Sequence, residues 1–352
     1  MEKVLEQFQL KGKPAACYPY GEGHINRTFY VQTDTGKEYI LQQLSRTAFA
    51  DIPGLMGNVI AVTEFLKTKN SDPRSCLHLV PTRTGALYIR DEEGEYWRLY
   101  DFITDSLCLQ RAESPEDFYQ SAVAFGRFQN ALRDFPAEEL CETIPDFHNT
   151  PDRYRKFHRA LEQDRENRRR LVEEEIRFLL EREEEAGSLQ RMRERGELPL
   201  RVTHNDTKLN NVMLDQVTRE ALCVIDLDTV MPGLVAYDFG DSIRFGASTA
   251  LEDEKDLSLV EMSLNLYETF VSGFVPSCGG LTRREIETLP LGAKIMTLEC
   301  GLRFLTDYLE GDHYFHTAYP EHNLIRCRTQ LKLVADMEKK WPEMERVVRR
   351  YV

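Results

Sequence analysis

No stretch of this chain is apolar for long enough to span a bilayer. Its first residues, Met1-Glu-Lys-Val-Leu-Glu6, lack the basic segment and apolar core of a secretion signal. Neither membrane insertion nor export is expected, and the protein is expected in the cytoplasm. Paired cysteines are also missing. The eight cysteines are scattered without metal-site spacing, so they read as reduced thiols. An excess of basic residues is missing too. With 45 Lys+Arg against 59 Asp+Glu, the net charge of −14 argues against a nucleic-acid backbone as partner. There is no internal repeat and no long disordered linker.

What is present suits an enzyme. The 352 residues, 41% hydrophobic and 30% charged, can bury a substantial core and are expected to divide into two parts. The first, 1–103, reads as a small sheet-rich nucleotide-binding lobe. Pro19 to Asn26 is a turn, Arg27 to Thr33 a strand, Asp34-Thr-Gly36 a hairpin turn and Glu38 to Leu44 the returning strand. Gly21 and Gly23 would let backbone approach a phosphate closely, although a ligand-free hairpin would use glycines as well. Pro53 to Leu66 reads as a helix with an apolar stripe through Leu55, Val59, Val62 and Leu66. Leu77 to Pro81, Leu87 to Arg90 and Trp97 to Ile103 complete the strands. A hinge is expected at Thr104-Asp-Ser106, with Tyr100 and Phe102 beside the nucleotide or simply in the core.

The second part, 104–352, reads as mainly helical. Ser114 to Leu132 opens with a capping sequence. Tyr154 to Glu197 is dense in Arg and Glu and reads as a solvent-laced helical pair, an elaboration of the fold, because basic residues alternate with acids. Further helices are expected over 256–273, 282–289, 292–310 and 323–348.

The chemistry concentrates in Arg201-Val-Thr-His-Asn-Asp-Thr-Lys-Leu-Asn-Asn-Val212. An Asp-Asn-rich loop alone is usually a turn. Here it leads into an apolar run, a turn over 215–220 and a second strand, Ala221 to Ile225, that ends in Asp226. Asp206 can accept the proton of an attacking hydroxyl. Lys208 can neutralise charge on a moving phosphoryl group. Asn211 and Asp226 can hold a divalent metal on a nucleotide, and Asp228 can assist there or brace the loop. This order of His-x-Asp, Asn and strand-end Asp is that of the protein-kinase catalytic set. The later Asp238-Phe-Gly240 comes too far after Asp206 to be the metal motif. Asp238 and Asp241 read instead as braces for helix starts and the catalytic loop.

On the His204-x-Asp206 to Asn211 block and Asp226, the chain resembles the aminoglycoside phosphotransferase and choline kinase superfamily. Pro19 to Asn26, Tyr39-Ile-Leu-Gln-Gln43, Arg201 to Asn211, Asp238 to Asp256 and Glu299 to Asp312 are similar to stretches of the bacterial N-acetylhexosamine 1-kinases. The resemblance implies an α+β, protein-kinase-like two-lobe fold, with a small antiparallel-sheet N-lobe and a large, mainly helical C-lobe. It implies phosphorylation of the anomeric hydroxyl of GlcNAc or GalNAc, with ATP and Mg2+ as cofactors, by a monomer without nucleic-acid or membrane partners. His24, Phe245, Arg303 and Tyr314 match positions expected to line the sugar pocket. Phe245 could equally be core, and Arg303 a structural ion pair with Asp241 or Asp307. Glu64 would anchor a phosphate-binding lysine, yet no lysine occupies the expected place. Gln42 and Gln43 stand there, so either the anchor differs or Lys37 or Arg27 substitutes. A kinase for galactose, choline or an aminoglycoside is the alternative, and an inactive nucleotide-binding pseudokinase the alternative from another class.

Overall fold

The computed structural model describes residues 1–21 and 25–352. The chain is α+β and forms two compact units, one of residues 1–108, 134–145 and 211–232, the other of the remainder.

The first unit is built on a five-stranded antiparallel sheet. Its strands are β1 (Pro14–Pro19), β2 (Arg27–Thr33), β3 (Glu38–Leu44), β4 (Ile89–Arg90) and β5 (Tyr96–Asp101), in the order β1-β2-β3-β5-β4. Alternation along these strands sends successive side chains to opposite faces. Phe29, Val31, Tyr39, Leu41, Trp97 and Leu99 make one face a core with Val4, Leu5 and Phe8. The other face carries Thr28, Gln42 and Arg98, which the register sets side by side. A helix, Ile52–Lys67, starts at Asp51, whose side chain caps the Gly54 N–H. A second small sheet joins β6 (Ser106–Cys108), β8 (Val212–Asp215) and β9 (Ala221–Val224). The strands expected at 27–33 and 38–44 are found with those bounds, whereas Leu77–Pro81 contributes only a bridge from Leu79 to Tyr100.

The second unit is helical apart from β7 (Arg201–Thr203). Helix Pro115–Ala131 opens with a capping box between Ser114 and Asp117 and lies against helix Leu264–Cys278. The two segments expected as separate helices at 282–289 and 292–310 are one helix, Arg283–Glu310, with Pro290 inside it. Tertiary packing overrides the local break. Helix Val235–Gly246 crosses here so closely that a Cβ on Gly240 would lie 2.4 Å from the Gly292 carbonyl oxygen. The charged elaboration is not one helical pair. It is helix Thr150–Gln163 followed by short pieces at Glu173–Leu180, Glu183–Ala186 and Ser188–Glu194. Its apolar residues Phe157, Leu161, Ile176 and Leu179 pack on Leu302 and Leu305. The last expected helix divides at Lys340 into His322–Lys339 and Trp341–Val348. Among the described residues no helix is long and apolar enough to cross a membrane.

Candidate active site

In the second unit, strand β7 ends at Thr203 and the loop that follows is held by backbone hydrogen bonds. The Asp238 carboxylate accepts the His204 N–H at 2.9 Å and the Asn205 N–H at 2.8 Å. Gln129 donates to the same carboxylate at 2.8 Å and to the Val202 carbonyl at 3.0 Å. Asp241 accepts the Thr207 N–H, and Ser242 donates to the Thr207 carbonyl. Helix Val235–Gly246 thus fixes one side of the loop, residue by residue. His204 is buried with its ring edge-on to Phe125 and Phe128, and its Nδ1 accepts the Asp206 N–H at 3.3 Å, so it anchors the loop. Asn205 takes a left-handed conformation at φ +64°, a turn geometry Asn tolerates. The result is that Asp206 and Lys208 leave a rigid base together. Their side chains are about a third exposed and lie 2.7 Å apart. Burial would lower the Lys208 pKa, but the Asp206 and Asp241 carboxylates outweigh it and hold the ammonium above its ordinary range.

The first unit has polar residues of its own. Asn211 begins the β8–β9 hairpin and Asp226 ends it. The Asn211 carbonyl accepts the Ile225 N–H at 2.9 Å, which sets the two residues side by side at the same end. Asp226 is left-handed, φ 58° and ψ 62°, an uncommon conformation for a non-glycine residue. An amide oxygen and a carboxylate fit Mg2+, a hard cation that takes few protein oxygens and completes its shell with water and phosphate. Among the described residues no cluster of three or more His, Cys, Asp or Glu side chains forms a protein-only metal cage.

Asp228, two residues on, is tied into the sheet. It pairs with Arg98 of β5 and accepts from Asn26 Nδ2. Arg98 also donates to Gln42 Oε1 through Nε at 3.0 Å and Nη2 at 2.8 Å. Asn58 of helix Ile52–Lys67 donates to the Val230 carbonyl at 2.9 Å and so fastens the same turn from the other side. Tyr100 lies beneath the Arg98 guanidinium, its hydroxyl buried without a hydrogen-bond partner among the described residues. Phe102 lies edge-on to Tyr20 and Tyr30.

These observations place the residues considered for the missing lysine. Lys37 is ion-paired with Asp101 at 2.8 Å. Arg27 pairs in register with Gln43 on the sheet face opposite Gln42, so it is not the substitute on that face. The buried cation beside Gln42 is Arg98, which the sequence reading missed. A charged residue inside the alternation Tyr96-Trp-Arg-Leu-Tyr100 was the available signal. Glu64 is exposed and bonded to Lys67, a surface pair that accounts for it, and Asn58 is the residue of that helix that reaches the acidic turn.

Gly21 sits at φ +77° with open space where a side chain would be, a conformation that favours glycine. Gly23 and His24 lie outside the described residues. The remaining expected pocket residues are in the second unit. Arg303 lies 5.3–5.7 Å from the ring centroids of Phe147, Tyr314 and Phe315 and donates to the Tyr314 hydroxyl at 3.4 Å. It is not the ion-pair partner of either acid considered for it. Asp241 is taken by Arg244, while Asp307 accepts three backbone N–H groups from residues 313–315 and the Asn323 side chain. Phe245 is half-buried and lines a cavity of about 270 Å³ with Leu209, Arg111, Arg244 and Glu252.

Comparison with known proteins follows the same lines. Residues 17–271 match the model of the phosphotransferase enzyme family. The fold is similar to that of an aminoglycoside phosphotransferase from Alicyclobacillus acidocaldarius, with a TM-score of 0.66 and 12% identity over 99% of this chain and 96% of that one. It is also similar to an amicoumacin kinase solved with AMP-PNP and Ca2+, with a TM-score of 0.61 and 13% identity over 94% and 91%. An ethanolamine kinase from Plasmodium vivax gives a TM-score of 0.57 and 16% identity over 90% and 81%.

Proposed function

We propose, from the premise that the chain belongs to the phosphotransferase enzyme family, that it transfers the γ-phosphoryl group of ATP to the anomeric hydroxyl of an N-acetylhexosamine. Family membership gives the coarser activity, ATP-dependent phosphorylation of a small molecule. The acceptor and the residue roles are our reading.

In this reading the acceptor hydroxyl gives its proton to Asp206 as its oxygen bonds to the γ-phosphorus. The bond from that phosphorus to the β,γ-bridging oxygen breaks and ADP leaves. Lys208 turns from Asp206 to the equatorial oxygens of the moving group. Asn211 and Asp226 would hold Mg2+, which would offset the developing charge on the phosphates. Gly21 and Gly23 belong to the phosphate turn, and Tyr100 and Phe102 to the nucleotide walls.

The observation that carries the choice of acceptor is the setting of Arg303. Three aromatic rings surround a guanidinium that has no carboxylate partner among the described residues. Aromatic faces stack on the apolar face of a sugar ring, and the guanidinium can donate to acetamide or hydroxyl oxygens. The same box repels a cationic acceptor. Choline or an aminoglycoside would call for carboxylates there. Phe245 would wall the neighbouring cavity and His24 would add a donor.

The direct test is ADP release across a panel of GlcNAc, GalNAc, galactose, choline and an aminoglycoside. N-acetylhexosamines should turn over fastest and yield the 1-phosphate. Turnover confined to choline or the aminoglycoside would sink this acceptor. Nucleotide binding without product from any of them would instead favour the pseudokinase.

A further inference from the structure

The sheet of the first unit has a second polar site. There a cavity of about 670 Å³ is lined by Arg27, Arg46, Arg90, Gln43, Thr47 and Glu95, together with Ile52 and Pro53. The lining comes from both faces of the sheet. Arg27 of β2 lies opposite Gln43 of β3, whereas Arg90 of β4 lies opposite Tyr96 of β5, on the face that carries Arg98 and Gln42. Gln42, Arg98 and Asp228 are not among the lining residues, which sets this cavity apart from the Asp228 network.

The lining is cationic in a chain whose net charge is −14. Three guanidiniums face one carboxylate, and that carboxylate is already engaged. Glu95 lies 3.6 Å from Arg46 and accepts from Gln43 at 3.2 Å. Arg90 donates through Nε to the Gly94 carbonyl and rests over the Tyr96 ring, and Arg27 donates to Gln43 and rests over Phe29. Neither has a carboxylate partner among the described residues. Rings and a backbone turn thus orient two guanidiniums without neutralising them.

Gly94 brings the charges together. A Cβ on this residue would lie 3.3 Å from Arg90 Nη2 and 3.7 Å from Arg46 Nη1. Two like charges therefore flank one bare backbone position at φ +87°. One carboxylate among three guanidiniums leaves like charges that repel, and a bound anion relieves that cost. At the start of the helix that follows Asp51, that residue takes the Gly54 N–H and Pro53 has none.

We propose that this cavity binds a phosphate ester of sugar or nucleoside size, at a site distinct from the acidic turn. The guanidinium fork matches a phosphate dianion bidentately. The volume exceeds what an inorganic ion fills and falls in the range of small-molecule pockets. Gln43 and Thr47 offer amide and hydroxyl groups to the organic part. The proposal is independent of which acceptor the enzyme phosphorylates.

The test is calorimetric titration of the whole protein with its nucleotide site saturated by a non-hydrolysable ATP analogue. The probes are a hexose 6-phosphate, AMP and inorganic phosphate. Saturable binding of at least one ester, tighter than inorganic phosphate, is expected. The double substitution Arg46→Gln with Arg90→Gln should weaken it by roughly tenfold or more, the loss of one or more charge-assisted hydrogen bonds. Turnover without added ester should be unchanged in that variant. Absence of saturable binding, or binding that the double substitution leaves intact, overturns the site. Equal binding of inorganic phosphate overturns the organic part of the ligand.

Discussion

Arg98 Nη1 and Asp228 Oδ1 lie 2.5 Å apart with both side chains buried, 1% and 3% exposed. A buried pair of this kind adds little net stability over an apolar one, but removing one partner strands a charge. Arg98→Met should therefore cost roughly 3–5 kcal/mol in chemical denaturation. Adding Asp228→Asn should restore most of that. What the double variant should not restore is Mg2+-dependent nucleotide affinity, because the turn that carries Asp226 has lost its tie to β5. Recovery of stability and affinity together would reduce the pair to a structural role.

The proposed chemistry separates by substitution. Asp206→Asn keeps the size of the side chain and removes the base, so turnover should fall by roughly 10²–10⁴-fold with nucleotide affinity kept. Asp226→Ala should weaken metal-dependent nucleotide binding together with turnover. Fluorescent-nucleotide titration with and without Mg2+ distinguishes the two. Near-normal turnover of purified Asp206→Asn would refute the base assignment.

The Asp238 carboxylate receives two loop N–H groups, and burial pushes its pKa up against the opposing effects of His204 and the N–H donors. Asp238→Ala leaves those donors buried without that acceptor, at a cost of about 1–3 kcal/mol each. Turnover should drop with the melting temperature, while nucleotide affinity stays. Asp238→Asn retains one acceptor oxygen and should fall between. An alanine variant as active and stable as the parent would mean that other contacts fix the loop.

What could be read from the sequence follows from how local each signal is. The hairpin β2–β3 and the hairpin ending in Asp226 were legible because alternation and turn residues are short-range. The bracing of the loop by Asp238 and Asp241 was also anticipated, since a second acidic cluster had no metal left to hold. The network of Arg98, Gln42, Asn26 and Asp228 was not anticipated. Its members lie up to 202 residues apart, and no periodicity links them. The continuous helix through Pro290 was missed for a related reason. The close approach at Gly240 and Gly292 is a tertiary fact, and it outweighs a breaker that local reasoning must take at face value.

Asp215 holds the turn between β8 and β9 by accepting the Val217 and Thr218 N–H groups and by pairing with Arg74. The two N–H donors, then Arg74, lower its pKa to about 2. A carboxylate depressed on folding adds stability that is complete above its unfolded pKa of about 4 and is lost as pH falls toward the folded value. Asp215→Ala should therefore melt below the parent at neutral pH, and the gap should close between about pH 4 and pH 2. Melting curves across that window check it, and a constant gap would assign the loss to packing.

Sugar selectivity puts Arg303 to the hardest test. GlcNAc and GalNAc differ only in the direction of the 4-hydroxyl. An enzyme that accepts both cannot rest on one strict buried hydrogen bond there, since the wrong epimer would leave a group unpaired and be rejected strongly. In the proposed reading recognition falls on the acetamide and the other hydroxyls, with Arg303 and His24 as donors and Phe245 and Tyr314 as walls. Arg303 can serve because Asp241 and Asp307 are occupied elsewhere and, among the described residues, aromatic faces and the Tyr314 hydroxyl attend it. Tyr314 is 67% exposed, so a ligand ring could still stack on it. Arg303→Ala should then raise KM for both epimers by similar factors, about tenfold for the loss of a charge-assisted hydrogen bond. The melting temperature should change little, because the guanidinium is only partly buried and bridges no carboxylate. Steady-state kinetics with both sugars beside a thermal melt reads both quantities on one protein. Unchanged KM with a large fall in melting temperature would make Arg303 a packing element for its three rings. A shift for one epimer alone would place the contact at the 4-hydroxyl and end the claim of tolerance.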